Sequence, residues 1–88
     1  MNCFPLVIST PDGNRLDAQA TGLFLRGGDG DLMILAGHAP LLTTVKAGAC
    51  RVEFEDGSER SGVIGEGILL VSEDEVSLMS GSFAWDSE

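Results

Sequence analysis

The sequence predicts an all-β fold, either a sandwich of two sheets or a barrel. Short apolar stretches alternate with clusters of Gly, Asp, Asn and Ser about every 8–12 residues, a spacing typical of short strands joined by tight turns. Twelve glycines are available for those turns. No segment sustains helical periodicity. With 88 residues, the chain has room for one domain with one modest core.

The clearest strand covers residues 50–55, where Cys50, Val52 and Phe54 alternate with charged residues that point to water. Asp56-Gly57 follows as a tight hairpin turn in which both residues tolerate positive φ, and residues 59–64 return as the antiparallel partner. The count is about nine short strands. The others are residues 4–9, 16–20, 23–26, 32–35, 43–46, 68–71 and 76–79.

The predicted sandwich spans residues 1–80, and a polar tail over residues 81–88 either frays or begins a helix. The formal net charge of −9 argues against nucleic acid as a partner, because the field of the chain repels phosphates. No apolar run approaches the ~20 residues that cross a bilayer, so we expect no direct membrane insertion. The N-terminus does not resemble a signal peptide, which makes a cytoplasmic location the default expectation.

Catalytic, metal and cofactor sites are not indicated. His38 is the only histidine, and no serine lies in a nucleophile elbow. Cys3 and Cys50 form no CxxC pair, and we interpret them as reduced, partly buried thiols. The acidic turn at residues 27–31 lacks the ligand spacing of a calcium loop.

Two further motifs favour structural interpretations. Gly65-Glu66-Gly67 lacks the third glycine and the helix of a dinucleotide loop, so a bend or bulge is expected. The carboxylates of residues 73–75 are interpreted as a solvated hairpin tip.

Residues 35–43 remain unexplained, because they are too apolar for an ordinary loop and are broken by Gly and Pro. This segment either folds over the core or offers an apolar surface to a partner.

Residues 37–43, Gly-His-Ala-Pro-Leu-Leu-Thr, closely resemble a segment of the epsilon subunit of bacterial and chloroplast F-type ATP synthases, the equivalent of the mitochondrial delta subunit. The likeness runs nearly end to end and includes residues 4–13, 30–32, 67–69 and 76–78. Four residues depart from the family pattern, and we expect local loop geometry to differ from the family there: Met33, Ala36, Ala47 and Glu66.

The resemblance implies a flattened two-sheet β-sandwich of about ten short strands. It also implies a non-catalytic central-stalk subunit of the rotor, peripheral at the cytoplasmic face of the plasma membrane and without a cofactor. Its partners would be the gamma subunit and the c-ring, and its role would be to couple proton or sodium flow to ATP synthesis. The family usually continues into a C-terminal helical pair, which this sequence lacks after residue 88.

Carried over residue by residue, the resemblance predicts two contact sites. Asp29, Gly30 and Asp31 would face the c-ring. Thr10, His38, Ala39 and Thr43 would face gamma. Two other classes of function stay open: a free-standing β-sandwich module that binds protein or ligand and, less favoured, a small hydrolase.

Overall fold

The computed structural model, which describes residues 3–27 and 30–86, confirms the all-β class. No helix occurs in these ranges, and therefore none that is long and apolar enough to cross a membrane. The strands in these ranges are β1 (Phe4–Thr10), β2 (Gly13–Gly27), β3 (Gly30–Leu35), β4 (Leu41–Val45), β5 (Gly48–Phe54), β6 (Glu59–Ile64), β7 (Gly67–Val71), β8 (Val76–Ser80) and β9 (Phe83–Trp85).

Strand β2 belongs to both layers of the sandwich. Its first half pairs with β1, and the first sheet continues through β8 and β7 to β4. Its second half lies between β3 and β5, and the second sheet continues through β6 to β9. All pairings are antiparallel except that of β1 with β8. The free side of β4 touches β2 at one pair, Gly27 with Val45.

The predicted strands at residues 16–20 and 23–26 are one strand, which corrects the sequence-based division. Ala20 lies opposite Phe4 of the first sheet and Phe54 of the second, and the register then shifts before Gly22. Thr21 is the extra residue of this bulge, and its hydroxyl donates to the Glu53 carbonyl over 3.4 Å. Before the bulge the even-numbered side chains point inward, and after it the odd-numbered ones do. The alternation of inward and outward residues therefore changes phase within one strand, without a turn.

A second correction concerns the predicted polar tail. Residues 83–85 form β9, which pairs with β6, so the sheet extends beyond residue 80. Phe83 and Trp85 are buried and meet edge to face with ring centroids 4.7 Å apart. The Arg60 guanidinium lies 4.1 Å from the centroid of the Trp85 ring. Burial of these two aromatic side chains thus holds the segment in the sheet, although its polar neighbours suggested a frayed end.

The predicted hairpin at residues 56–57 is present, but with a different turn. Gly57 has φ of 89°, whereas no non-glycine residue among those described has positive φ, so Asp56 does not adopt the predicted conformation. Gly57 N–H donates to the Phe54 carbonyl, and Phe54 N–H donates to that of Ser58. This is a three-residue loop with a glycine bulge. Two hydrogen bonds from Ser58 stabilise the ionised Asp56 carboxyl and lower its pKa.

The core consists of the inward side chains of both sheets. Leu6, Ile8 and Leu78 of the first sheet face Leu23 and Ile34 of the second, and all five are fully buried. Both cysteines were predicted to be free and partly buried. Both are free; Cys3 is half-buried, whereas Cys50 lies among these side chains and is fully buried. Burial raises the pKa of the Cys50 thiol from its ordinary value of 9.0 to about 11.

We therefore expect the stability to depend on pH through Cys50. Below about pH 9 the thiol is protonated in both states; above it, the unfolded thiol ionises first, and stability is lost up to about pH 11. Between about pH 8 and about pH 10.5, urea denaturation should show the parent losing about 2 kcal/mol more than Cys50→Ala. Equal losses in both proteins would contradict this assignment.

Strands β7 and β8 approach closely at Gly67, which lies opposite Ser80. A Cβ added at Gly67 would overlap the Met79 carbonyl oxygen, and only backbone movement could relieve that contact. The Ser80 hydroxyl, which is buried here, lies 2.9 Å from the Gly65 carbonyl oxygen and 2.7 Å from that of Ser82, and these two acceptors share its single proton. The bend predicted at residues 65–67 is thus a point where the ends of β6, β7, β8 and β9 are held together.

Replacement of Gly67 by alanine should separate β7 from β8 and lower the free energy of unfolding by about 2–3 kcal/mol, measured by urea denaturation. Gly81→Ala is the matched control, because a Cβ there would meet its nearest neighbour, the Glu66 carbonyl oxygen, at an ordinary 3.7 Å. Similar stabilities of the two variants would show that the close approach does not constrain the fold.

Candidate functional site

The loops of the sandwich gather at two opposite ends. Strand β3 leaves the β2–β3 turn at Gly30 and ends at Leu35; β4 runs back to Val45, which pairs with Gly27 beside that turn. We call the end with residues 10–13 and 27–31 the Asp31 end. The end with the β3–β4 loop and the turn at residues 72–75 is called the His38 end.

At the Asp31 end, Gly30 and Asp31 begin β3 and are exposed. Gly30 has φ of 129° and pairs with Gly27 across the hairpin. Asp31 lies directly opposite Arg26. The predicted third member of this set, Asp29, falls outside the described residues. The turn predicted at residues 27–31 therefore presents at least one exposed carboxylate.

At the His38 end, Gly37 with φ of 82° turns the chain, and His38 N–H donates to the Leu35 carbonyl over 3.1 Å. His38 Nδ1 lies 2.7 Å from the Ala39 carbonyl oxygen, which accepts its proton because a carbonyl cannot donate. His38 and Ala39 are both exposed. Ala36 and Leu41 pack against the core at the two ends of this loop, so the segment both covers the core and projects outward.

The structure does not gather the four predicted gamma-facing residues into one cluster. His38 and Ala39 are adjacent at one end, while Thr10 ends β1 at the other. The Thr10 hydroxyl accepts from Asp12 N–H over 3.2 Å within its own turn. Thr43 lies midway along β4, opposite buried Leu69. The half-buried Thr43 side chain therefore points to the inner side of the first sheet.

The outer surface of the first sheet is a feature that the sequence reasoning missed. Its outward positions on β1, β4, β7 and β8 contain no charged residue, and we call this surface the uncharged face. Four of its large apolar side chains are between 41% and 68% exposed. Strand β7 carried the signal, because its apolar run gives both faces of the strand an apolar character. The uncharged face comprises Pro5, Val7, Ser9, Leu42, Thr44, Ile68, Leu70, Ser77 and Met79.

The outer surface of the second sheet differs, because charged residues stand between its apolar ones. Arg51 lies 4.3 Å from the centroid of the Phe24 ring, and its guanidinium is 3.8 Å from the Glu53 carboxylate. An open groove of about 510 Å³ crosses this surface, with Met33 on one wall and Asp86 on the other. Its charges are mixed, and they are partly engaged with one another.

The described residues contain no group of three or more His, Cys, Asp or Glu side chains that could hold a metal ion. The carboxylates of Glu73, Asp74 and Glu75 lie on the exposed β7–β8 turn, as predicted. Within that turn Ser72 N–H donates to the Glu75 carbonyl over 2.9 Å. The arrangement is that of a solvated hairpin, and it brings no second carboxylate into a shared hydrogen bond.

Comparisons with known proteins give one consistent family. The chain is 28% identical over 88 residues to the ATP synthase epsilon chain of Clostridium perfringens, covering 100% of this chain and 66% of that one. It is 32% identical over 85 residues to the sodium ion specific ATP synthase epsilon chain of Acetobacterium woodii, covering 97% and 64%. It thus spans just under two thirds of the length of these curated relatives.

A solved structure with the same fold is a chain in the Euglena gracilis mitochondrial ATP synthase, OSCP/F1/c-ring in rotational state 1. The TM-score is 0.91 at 23% identity, with 98% of this chain and 55% of that chain covered. The family model for the beta-sandwich domain of the ATP synthase delta/epsilon chain matches residues 3–86. The chain therefore belongs to the ATP synthase delta/epsilon beta-sandwich domain family.

Proposed function

We propose that this chain is a non-catalytic central-stalk subunit of an F-type ATP synthase, which joins the gamma subunit to the c-ring in the rotor. In this role it transmits torque from proton or sodium flow to ATP synthesis in other subunits. The observation that carries the proposal is the uncharged face on a domain of the delta/epsilon family. A chain with a net charge of −9 keeps the outward positions of four neighbouring strands, β1, β8, β7 and β4, free of charge, and Asp17 of β2, opposite Val7, stands at the border of this surface. An uncharged surface of this kind suits a permanent protein contact.

The uncharged face is assigned to gamma. Leu42 on β4 and Ile68 on β7 project from it, and burying them against a partner removes exposed apolar surface. The predicted gamma-facing residues His38, Ala39 and Thr10 lie at the two ends of the same sheet and would flank the contact. Thr43, whose side chain points to the inner side of the sheet, would contribute only along the free edge of β4.

The Asp31 end is assigned to the c-ring, through Asp29, Gly30 and Asp31. Exposed charge at a hairpin tip gives orientation and specificity more than affinity, which suits a contact that must keep one register on a ring. The assembly would lie at the cytoplasmic face of the plasma membrane, held there by protein contacts. A free-standing binding module is the second candidate, and the groove on the second sheet is the feature that would serve it.

Leu42→Glu should weaken binding to gamma about 100-fold, because it buries a carboxylate in an apolar contact. Titration calorimetry with purified gamma measures the change. Val63→Glu is the matched control, since Val63 is 54% exposed, compared with 68% for Leu42, but projects from the second sheet. Equal affinities of the two variants for gamma would contradict the assignment of the uncharged face to gamma. Undetectable binding by the parent chain would favour the free-standing module.

Asp31→Arg should weaken co-purification of the c-ring with the complex of gamma and this chain, about tenfold at low salt. The effect should shrink as salt is raised, because the Debye length falls to roughly 8 Å at physiological ionic strength. Asp12→Arg is the control, with the same charge change on an exposed turn of the same end. An unchanged yield for Asp31→Arg would contradict the assigned c-ring contact.

A further inference from the structure

The Asp31 end also holds the two cations that the fold leaves unused. The chain has five basic residues, and all of them lie in the described ranges. Arg51 and Arg60 lie over aromatic rings, and Arg15 also has a partner. The side chains of Arg26 and Lys46 form no hydrogen bond or ion pair with any of residues 3–27 and 30–86. In a chain of charge −9, two free cations side by side are unexpected.

Backbone geometry holds these cations next to Asp31. Lys46 N–H donates to the Arg26 carbonyl over 2.9 Å, which fixes the end of β4 beside the end of β2. Arg26 and Asp31 are directly opposite in the β2–β3 register. The two-residue loop of this hairpin makes Gly27 and Gly30 a hydrogen-bonded pair, so the next pair along has its side chains closest.

Even so, Arg26 does not neutralise Asp31. An ideal Cβ on Gly48 would lie 3.7 Å from Arg26 Cδ, so the stem of the arginine runs over Gly48 toward β5. Asp31 lies on the other side, on β3. No salt bridge joins the two side chains among the described residues. Across the strands at this end, Asp31 on β3, Arg26 on β2 and Lys46 after β4 are thus presented as separate charges in a fixed order.

We propose that Arg26 and Lys46 are specificity-determining residues of the c-ring contact. They receive a carboxylate from the polar surface of the ring, while Asp31 receives a basic or N–H group from the same surface. This inference rests on the proposed function, since it deepens the assignment of the Asp31 end. Without local cations, the field of this chain would repel a carboxylate, and Arg26 and Lys46 oppose that repulsion locally.

The fixed order of charges predicts that a partner can dock in only one orientation. A partner whose acid and base match Asp31 on β3 and Arg26 on β2 cannot dock with the two exchanged, because like charges would then meet. The contact would thus select one orientation of the domain on the ring. Charge order, and not only the sum of charges, is the property to test.

The test uses the full chain bound to gamma and c-rings purified in detergent, with affinity measured at about 50 mM and about 300 mM salt. Arg26→Glu and Lys46→Glu should each weaken binding about tenfold at low salt and much less at high salt. Arg60→Glu, with the same charge change on the second sheet, is the control, and circular dichroism checks its fold. The exchange of Arg26→Asp with Asp31→Arg keeps the net charge and should not restore binding.

The outcomes separate this inference from the proposed function. If Asp31→Arg weakens binding while Arg26→Glu and Lys46→Glu do not, the inference fails and the assignment of Asp31 stands. If none of the three variants has an effect, the c-ring assignment itself fails. If Arg26→Glu and Lys46→Glu reduce binding to anionic vesicles without c-rings but leave binding to detergent-purified rings unchanged, lipid headgroups replace the ring as the partner and the inference is overturned.

Discussion

The fold depends on the bend of β2 at Thr21. Ala20, just before the bulge, pairs with Phe4 of the first sheet and Phe54 of the second, so one buried backbone position joins both layers. The bulge also reverses which side of the strand faces the core, which allows a single strand to line both inner surfaces. Because β3 continues from β2 through a two-residue loop, the same bend fixes where Asp31 lies relative to the first sheet.

The two outer surfaces differ in charge because their strands differ in pattern. Strand β7 is apolar throughout, so it supplies the core and the uncharged face together. Strands β2 and β5 alternate, and their outward positions include Arg26 and Arg51. An apolar surface favours association without fixing direction, whereas charges fix direction and add less affinity. The division of the molecule into one uncharged face and one charged end therefore suits two contacts with different requirements.

Hairpin turns were the most predictable part of the structure, because the residue types at Gly57 and at the acidic turn of residues 73–75 indicate a turn without any distant contact. The continuity of β2 could not be predicted, since a bulge without a turn residue looks like a break in alternation. Strand β9 was missed for a related reason: Phe83 and Trp85 gain their burial from β6, which is distant in sequence. Prediction of the uncharged face would have needed both the strand register and the order of strands in the sheet. In the sequence, only the apolar run of β7 indicated it.

The contact residues illustrate the same limit. A likeness over residues 37–43 correctly marked an exposed, bent segment, yet it gave no indication that Thr10 and His38 lie at opposite ends of one sheet. Their separation has meaning only once the outward positions of the four strands between them are seen to be free of charge, because the two ends then become the borders of one surface. At the other site, Asp31 was evident from its turn, whereas Lys46 reaches that turn only through its backbone bond to Arg26. Which charges lie together across strands thus depends on the strand register. A local motif identifies only the charge that it contains, here Asp31.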